Sequence, residues 1–311
     1  MPFVSTKKMF KKAMQEGYAI GAFNINNLEI AQAIVDAAAK TNSPVIIQVS
    51  EGAREYAGTE DLVAIVRAEL EMSPKLVSAL HQDHGSSFEI CKSAIKAGFS
   101  SVMIDGSHLP FEENVKLTKK VVDYAHKKNI TVEAELGELI GEQFDAGEGS
   151  EKSEGAYTDP KKAKEFVKRT GCDSLAVSIG TSHGVYKFKG DPKLDLKRLE
   201  EIQKMIPKIP LVLHGASSIL QKYVKMATKH GAEISGARGV PESVIRKSTK
   251  FGVVKVNIDS DLRLAMTATI RKYMDENPGE VDPRKYLGAG RDELEKLIIH
   301  KFKAFGCLGK A

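Results

Sequence analysis

The stretch KLVSALHQDHGSSFEICKSAIKAGFSSVMIDGS, residues 75–107, decides the fold. It opens with an apolar run, KLVSALHQD (75–83), and passes through Gly85 into SFEICKSAIKAG (87–98), where apolar residues recur at helical spacing. Gly98 reads as the stop of that helix, and a second apolar run, SVMIDGS (101–107), follows directly. The pattern is strand, helix, strand. Both strands are largely apolar rather than alternating, which suits a parallel sheet covered by helices. Their polar residues collect at the far ends: Asp83-His84 after the first and Asp105 after the second.

The same rhythm extends in both directions. Further strands are expected at AIGAFNI (19–25), PVIIQVS (44–50), TVEAELG (131–137), SLAVSIG (174–180), PLVLHGA (210–216) and VVKVNID (253–259). Helix-like patterns lie between them at LEIAQAIVDAAAK (28–40), ENVKLTKKVVDYAHKK (113–128), PKKAKEFVKRTG (160–171) and LKRLEEIQKMI (196–206). Eight such units predict an α/β fold, a (β/α)8 TIM barrel spanning residues 1–311 as one domain, with an open doubly wound sheet as the alternative. Two stretches break the rhythm. Residues 137–160, rich in Gly, Glu and Ser, are too long for an ordinary strand-to-helix connection and read as a mobile active-site loop. After the eighth strand come two helices, 259–277 and 291–306, joined by PGEVDPRKYLGAG; residues 277–311 read as a C-terminal helical extension surplus to a minimal barrel.

Composition narrows the function. With 311 residues, 42% hydrophobic and 28% charged, the chain is an ordinary globular sequence, and no apolar run approaches the roughly 20 residues of a membrane span. MPFVSTKKMFKK at the N-terminus lacks the apolar core of a signal peptide, and three scattered cysteines without a C-x-x-C suit reduced thiols, so a cytoplasmic location is expected. Forty-six basic against 41 acidic residues leave +5, interleaved along helices. That reads as solvated helix faces rather than a nucleic-acid footprint, and it is compatible with small anionic substrates such as sugar phosphates.

In a barrel, the strand ends converge on one mouth. His84, His183 and His214 would come from the third, sixth and seventh strands, each followed by glycine. Singly, each reads as a structural histidine; jointly, three imidazoles with an open fourth position form a catalytic zinc arrangement. Asp105 and Glu135 would hold a second cation or accept hydrogen bonds that orient the histidines. HGASS (214–218) and NIDSD (257–261) lie where barrels bind phosphate through backbone N–H groups. Lys255, on the same strand face as Asn257 and Asp259, would be the lysine of a Schiff-base mechanism, but that chemistry leaves the three histidines without a role.

At these residues the sequence resembles the class II, metal-dependent fructose-1,6-bisphosphate aldolases. The matching segments include GAFNINNLEIAQAIVDAA (21–38), QVSEGA (48–53), DHGSSFE (83–89), VEAELG (132–137), IGTSHGVYKFKG (179–190), LVLHGASS (211–218), KVNIDSDLRLAMT (255–267) and DPRKYL (282–287), and they cover nearly the whole chain. The resemblance implies reversible aldol cleavage of fructose 1,6-bisphosphate to dihydroxyacetone phosphate and glyceraldehyde 3-phosphate, in glycolysis and gluconeogenesis. It implies Zn2+ on His84, His183 and His214, a second divalent metal at Asp105 and Glu135, a monovalent cation (Na+ or K+) near the phosphate, and a homodimer or homotetramer. Asp83 matches the residue that handles the aldehyde proton. Gly184, Gly215, Ala216 and Ser217, with Asn257, Ile258, Asp259 and Ser260, match the segments around dihydroxyacetone phosphate. Ser50 matches a contact to glyceraldehyde 3-phosphate and Arg284 an arginine for the far phosphate.

Two departures stand out. Family members usually show LHLDHG, whereas here Gln82 replaces the apolar residue; strand alternation points it away from Asp83, with little consequence expected. The loop glutamate expected after a Gly pair is either Glu142 or replaced by Gln143. The rival activities are cleavage of tagatose 1,6-bisphosphate and a non-catalytic sugar-phosphate-binding barrel.

Overall fold

Junction residues set the alternation of strands and helices. Asn27, Ser50 and Ser87 leave their strands in extended conformation, and each side chain accepts a hydrogen bond from the first helical turn, at Ile30, Ala53 and Ile90. Gly17, Gly98 and Gly171 close helices in the left-handed region. The structure, a computed structural model, describes residues 3–137, 157–181, 194–234 and 236–311. His183, Gly184 and Glu142, with most of the expected 137–160 loop, lie outside the described residues.

Eight strands form a closed parallel barrel in sequence order: β1 (Ile20–Asn24), β2 (Val45–Val49), β3 (Ser78–Gly85), β4 (Ser101–Ile104), β5 (Thr131–Leu136), β6 (Ser174–Val177), β7 (Leu211–Leu213) and β8 (Val253–Ile258). β8 pairs with β1, so no edge is left open, and the doubly wound alternative is set aside. The helices are α1 (Thr6–Glu16), α2 (Leu28–Thr41), α3 (Glu51–Ala57), α4 (Thr59–Met72), α5 (Phe88–Ala97) and α6 (Phe111–His126), followed by α7 (Pro160–Thr170), α8 (Leu196–Met205), α9 (Gln221–Lys229), α10 (Glu242–Ser248), α11 (Ser260–Glu276) and α12 (Pro283–Phe305). α1 closes the end at which the strands begin: Thr6 Oγ1 lies 2.6 Å from Thr131 Oγ1, and Val4 N–H donates to Ser78 O.

α12 starts earlier than the sequence suggests. Pro283 takes the first helical position, Asp282 caps it by accepting from Arg284 N–H, and the expected linker PGEVDPRKYLGAG is helix from Pro283 onward. Gly288 and Gly290 do not break it; a side chain at Gly290 would collide with Met266 of α11. α12 belongs to the outer wall, packed against α2 and α11, with Phe302 edge-on to Phe23 of β1 at 5.7 Å. It is not surplus. Cys91, Cys172 and Cys307 are buried and unpaired, and burial pushes each thiol up to about 12.

Candidate active site

Strand alternation turns His81 and Asp83 of β3, Glu133 and Glu135 of β5, and Lys255 and Asn257 of β8 into the barrel, where they replace apolar filling with polar groups. The chain bends sharply at the end of β3. His84 adopts φ +45°, a conformation that costs a non-glycine residue on the order of 1–3 kcal/mol and persists only when its surroundings fix it. Gly85 allows it: a Cβ there would sit 2.7 Å from Met103 O and 2.8 Å from Cys91 Sγ.

The strained backbone aims His84 at His214. Its Nδ1 lies 2.7 Å from Asp105 Oδ2, while the other oxygen of Asp105 accepts from Ser107 N–H and Oγ–H at 3.0 and 2.7 Å. His214 Nε2 lies 2.7 Å from Glu133 Oε1, and Glu133 is ion-paired at 3.0 Å with Lys255, fully buried. Each imidazole therefore gives its outer N–H to a carboxylate. Their inner nitrogens, His84 Nε2 and His214 Nδ1, face each other at 2.8 Å. Without a metal, a proton on His84 bridges this contact; a cation held by both inner nitrogens would take that proton's place. One oxygen of Asp83 also falls within 4.8 Å of both histidines' ligand atoms, and His84, Asp105 and Glu135 form a second such group.

The charges follow from this geometry. Burial disfavours a charged His84, but Asp83, Asp105 and Glu135 outweigh it and raise its pKa well above the ordinary imidazole range. Burial, then His84 and Lys255, drive His214 well below that range. Asp105 is buried too, yet the His84 and Ser107 hydrogen bonds hold it far below the usual carboxylate range. Asp83 is pulled down against burial by His84, Lys255, His214 and the Asn24 hydrogen bond.

Asp83 is gripped by two carboxamides, Asn24 Nδ2 from β1 at 2.9 Å and Asn257 Nδ2 from β8 at 3.0 Å. Gln48 of β2 fixes Asn24 in turn, donating to its Oδ1 at 2.6 Å. Asn24 and Gln48 are site residues that the strand-end reading missed; their signal is a buried carboxamide inside an otherwise apolar strand. Around the mouth, Asn257 Oδ1, Thr181 Oγ1 and Ser218 Oγ have no hydrogen-bond partner among the described residues. Buried polar atoms left this way point to a ligand.

Ser50 sits at the end of β2 and caps α3. Gly215 has φ +58°, and Ala216 and Ser217 are buried beside it. Asn257 and Ile258 end β8, and Asp259 and Ser260 open α11, with Asp259 ion-paired to Arg263 at 2.9 Å. Arg284 is exposed and bound to Asp282 at 2.7 Å; among the described residues it makes no contact with the histidine cluster. Gln82 does point away from Asp83, but it has a consequence: its Oε1 accepts from the half-buried Arg54 of α3 at 2.7 Å, and Arg54 also binds Ser93 of α5.

A barrel with imidazoles and carboxylates at its mouth hosts many chemistries. The family model described as fructose-bisphosphate aldolase class-II matches residues 4–310. The chain belongs to that family. A fructose-bisphosphate aldolase of Treponema pallidum is 49% identical over 99% of this chain and 97% of its own length. One from Thermus caldophilus is 46% identical over 99% of each. Among solved structures, the YdjI aldolase of Escherichia coli K12 superposes with a TM-score of 0.79 at 31% identity, covering 99% of both chains. This class II aldolase also has no helix, among its described residues, long and apolar enough to cross a membrane.

Proposed function

We propose that this aldolase reversibly cleaves fructose 1,6-bisphosphate to dihydroxyacetone phosphate and glyceraldehyde 3-phosphate at a zinc site formed by His84, His183 and His214. The observation that carries the metal reading is the facing pair of imidazole nitrogens, each ring backed by a carboxylate. Bound Zn2+ supplies a Lewis acid for the charge that develops on the substrate ketone oxygen. The chain's own residues do the rest. Asp83, ionised and held by Asn24 and Asn257, takes the C4 hydroxyl proton as the C3–C4 bond breaks, and returns it in the condensation direction. Glu142 is assigned the carbon-bound proton. The backbone around Gly184, Gly215 to Ser217 and Asn257 to Ser260 binds the phosphate of the dihydroxyacetone half. Ser50 contacts the aldehyde half, and Arg284 exchanges Asp282 for the far phosphate.

Asp105 acts first as the acceptor that orients His84, and with Glu135 it is the candidate seat of a second divalent ion. A monovalent cation (Na+ or K+) accompanies the phosphate. Lys255 is assigned to electrostatics, since its ammonium is buried against Glu133. The protein is expected in the cytoplasm as a homodimer or homotetramer, without nucleic-acid or membrane partners.

The test combines substrate and metal. kcat/KM should be higher for fructose 1,6-bisphosphate than for tagatose 1,6-bisphosphate. A strong chelator should abolish turnover and Zn2+ restore it, while borohydride with dihydroxyacetone phosphate traps no adduct. Preference for the tagatose sugar overturns the substrate, and chelator-resistant turnover with an adduct on Lys255 overturns the metal.

A further inference from the structure

Against the loop that follows β7 lies a second buried charge cluster. Lys301 of α12 is fully buried, its Nζ 2.7 Å from Asp261 Oδ2 and 2.8 Å from Glu242 Oε1. Asp261, in the first turn of α11, is equally buried, and its carboxylate reaches back across the barrel wall to accept Ser218 N–H at 2.9 Å and Ile219 N–H at 2.7 Å. These contacts hold an unfavourable backbone. Ile219, β-branched, has φ +49°. Gly239 packs so closely under the loop that a Cβ would lie 2.5 Å from Ser218 C, and Val240 N–H donates to Ser217 O.

The loop is thus anchored by Ser217 O, Ser218 N–H and Ile219 N–H. The preceding amides, of Gly215, Ala216 and Ser217, have no acceptor among the described residues, although Ala216 and Ser217 are buried. Buried amides need a partner, and an anion at the mouth provides one. Resting on the phosphate assignment above, we infer that Lys301 and Asp261 are positioning residues: their ion pair holds the β7 loop in the conformation that presents these amides to the substrate phosphate. Asp261 can accept two backbone N–H groups as a buried carboxylate because Lys301 compensates its charge. Lys301 would thereby set phosphate affinity without touching substrate.

The experiment is Lys301→Met in the full-length zinc enzyme, with Lys301→Arg as the conservative rescue. Because a lone Lys301→Met leaves Asp261 as an uncompensated buried charge, the charge-neutral double variant Asp261→Asn/Lys301→Met is made alongside it. Misplacing amides by about 1 Å costs on the order of 10²-fold. Dihydroxyacetone phosphate binding, read by calorimetry, should therefore weaken at least about tenfold in the Met variants, with KM for the bisphosphate rising more than kcat falls. Solvent exchange of the C–H of unphosphorylated dihydroxyacetone should suffer at least tenfold less than that of dihydroxyacetone phosphate, a difference that general destabilisation would not produce. Folded Met variants that bind dihydroxyacetone phosphate within twofold of wild type, or that lose both exchanges equally, overturn the inference alone. Wild-type protein that binds no dihydroxyacetone phosphate brings down the phosphate assignment as well.

Discussion

Replacing Asp83 by asparagine separates proton transfer from positioning, because shape is kept and one oxygen becomes an amide. In the wild type, each carboxylate oxygen accepts from a carboxamide, Asn24 Nδ2 at 2.9 Å and Asn257 Nδ2 at 3.0 Å. In Asp83→Asn, the new N–H2 must face one of those donors. Asn24 cannot turn over, since its Oδ1 is held by Gln48 at 2.6 Å. Asn257 can, since its Oδ1 has no partner among the described residues, and a flipped Asn257 would accept the new hydrogen bond. The structural cost should therefore fall below the roughly 1–3 kcal/mol of an unsatisfied buried group. The chemical cost is larger. A general acid–base residue contributes about 10²–10⁴-fold, which is roughly 2.7–5.4 kcal/mol of transition-state stabilisation. Stopped-time cleavage of fructose 1,6-bisphosphate should show kcat lower by that factor at unchanged zinc content. Exchange of the dihydroxyacetone phosphate C–H with solvent does not require the C4 hydroxyl proton and should be retained. A kcat within about threefold of wild type, or an exchange rate that falls as far as cleavage does, would refute the role of Asp83.

Gln82→Leu, the residue more usual in the family, should cost about 1–3 kcal/mol in urea unfolding by removing an acceptor from the half-buried Arg54, with kcat nearly unchanged; unaltered stability would show that Arg54 finds another partner. The acid sensitivity of the metal-free protein should depend on Asp105. Its folded pKa is depressed, so its stabilisation is full above its unfolded value, near 3.8, and is lost as the pH falls toward the folded value. The Tm of metal-free protein should drop below about pH 4, and Asp105→Asn should flatten that drop; parallel curves would assign the acid sensitivity elsewhere.

Much of this was legible from sequence because the barrel makes a simple rule physical: an apolar run buries itself, and the polar residues that end it meet at the mouth. Asp83, His84, Asp105 and His214 are expected at the mouth by that rule, and their side chains do lie together. Asn24 and Gln48 were not, because a carboxamide inside a strand has no periodic signature until the neighbouring strands are in register. The start of α12 lies earlier than expected because the Asp282-Pro283 start signal falls inside the stretch that reads as a linker. Lys301 looks like any lysine on an amphipathic helix. Its burial is decided by carboxylates from α10 and α11, a pairing that only tertiary structure brings about.

The three buried thiols give this enzyme a quiet chemical background. With burial raising all three to about 12, thiolate is scarce at neutral pH and reagent access is blocked, so maleimides should leave the native protein unlabelled. A cysteine introduced at the half-exposed Tyr157 would then be the one reactive thiol. Thr158, its neighbour, is stitched to Leu136 O and Ser178 at the ends of β5 and β6. A fluorophore at position 157 would report from the rim of the mouth, without first stripping native cysteines from the chain.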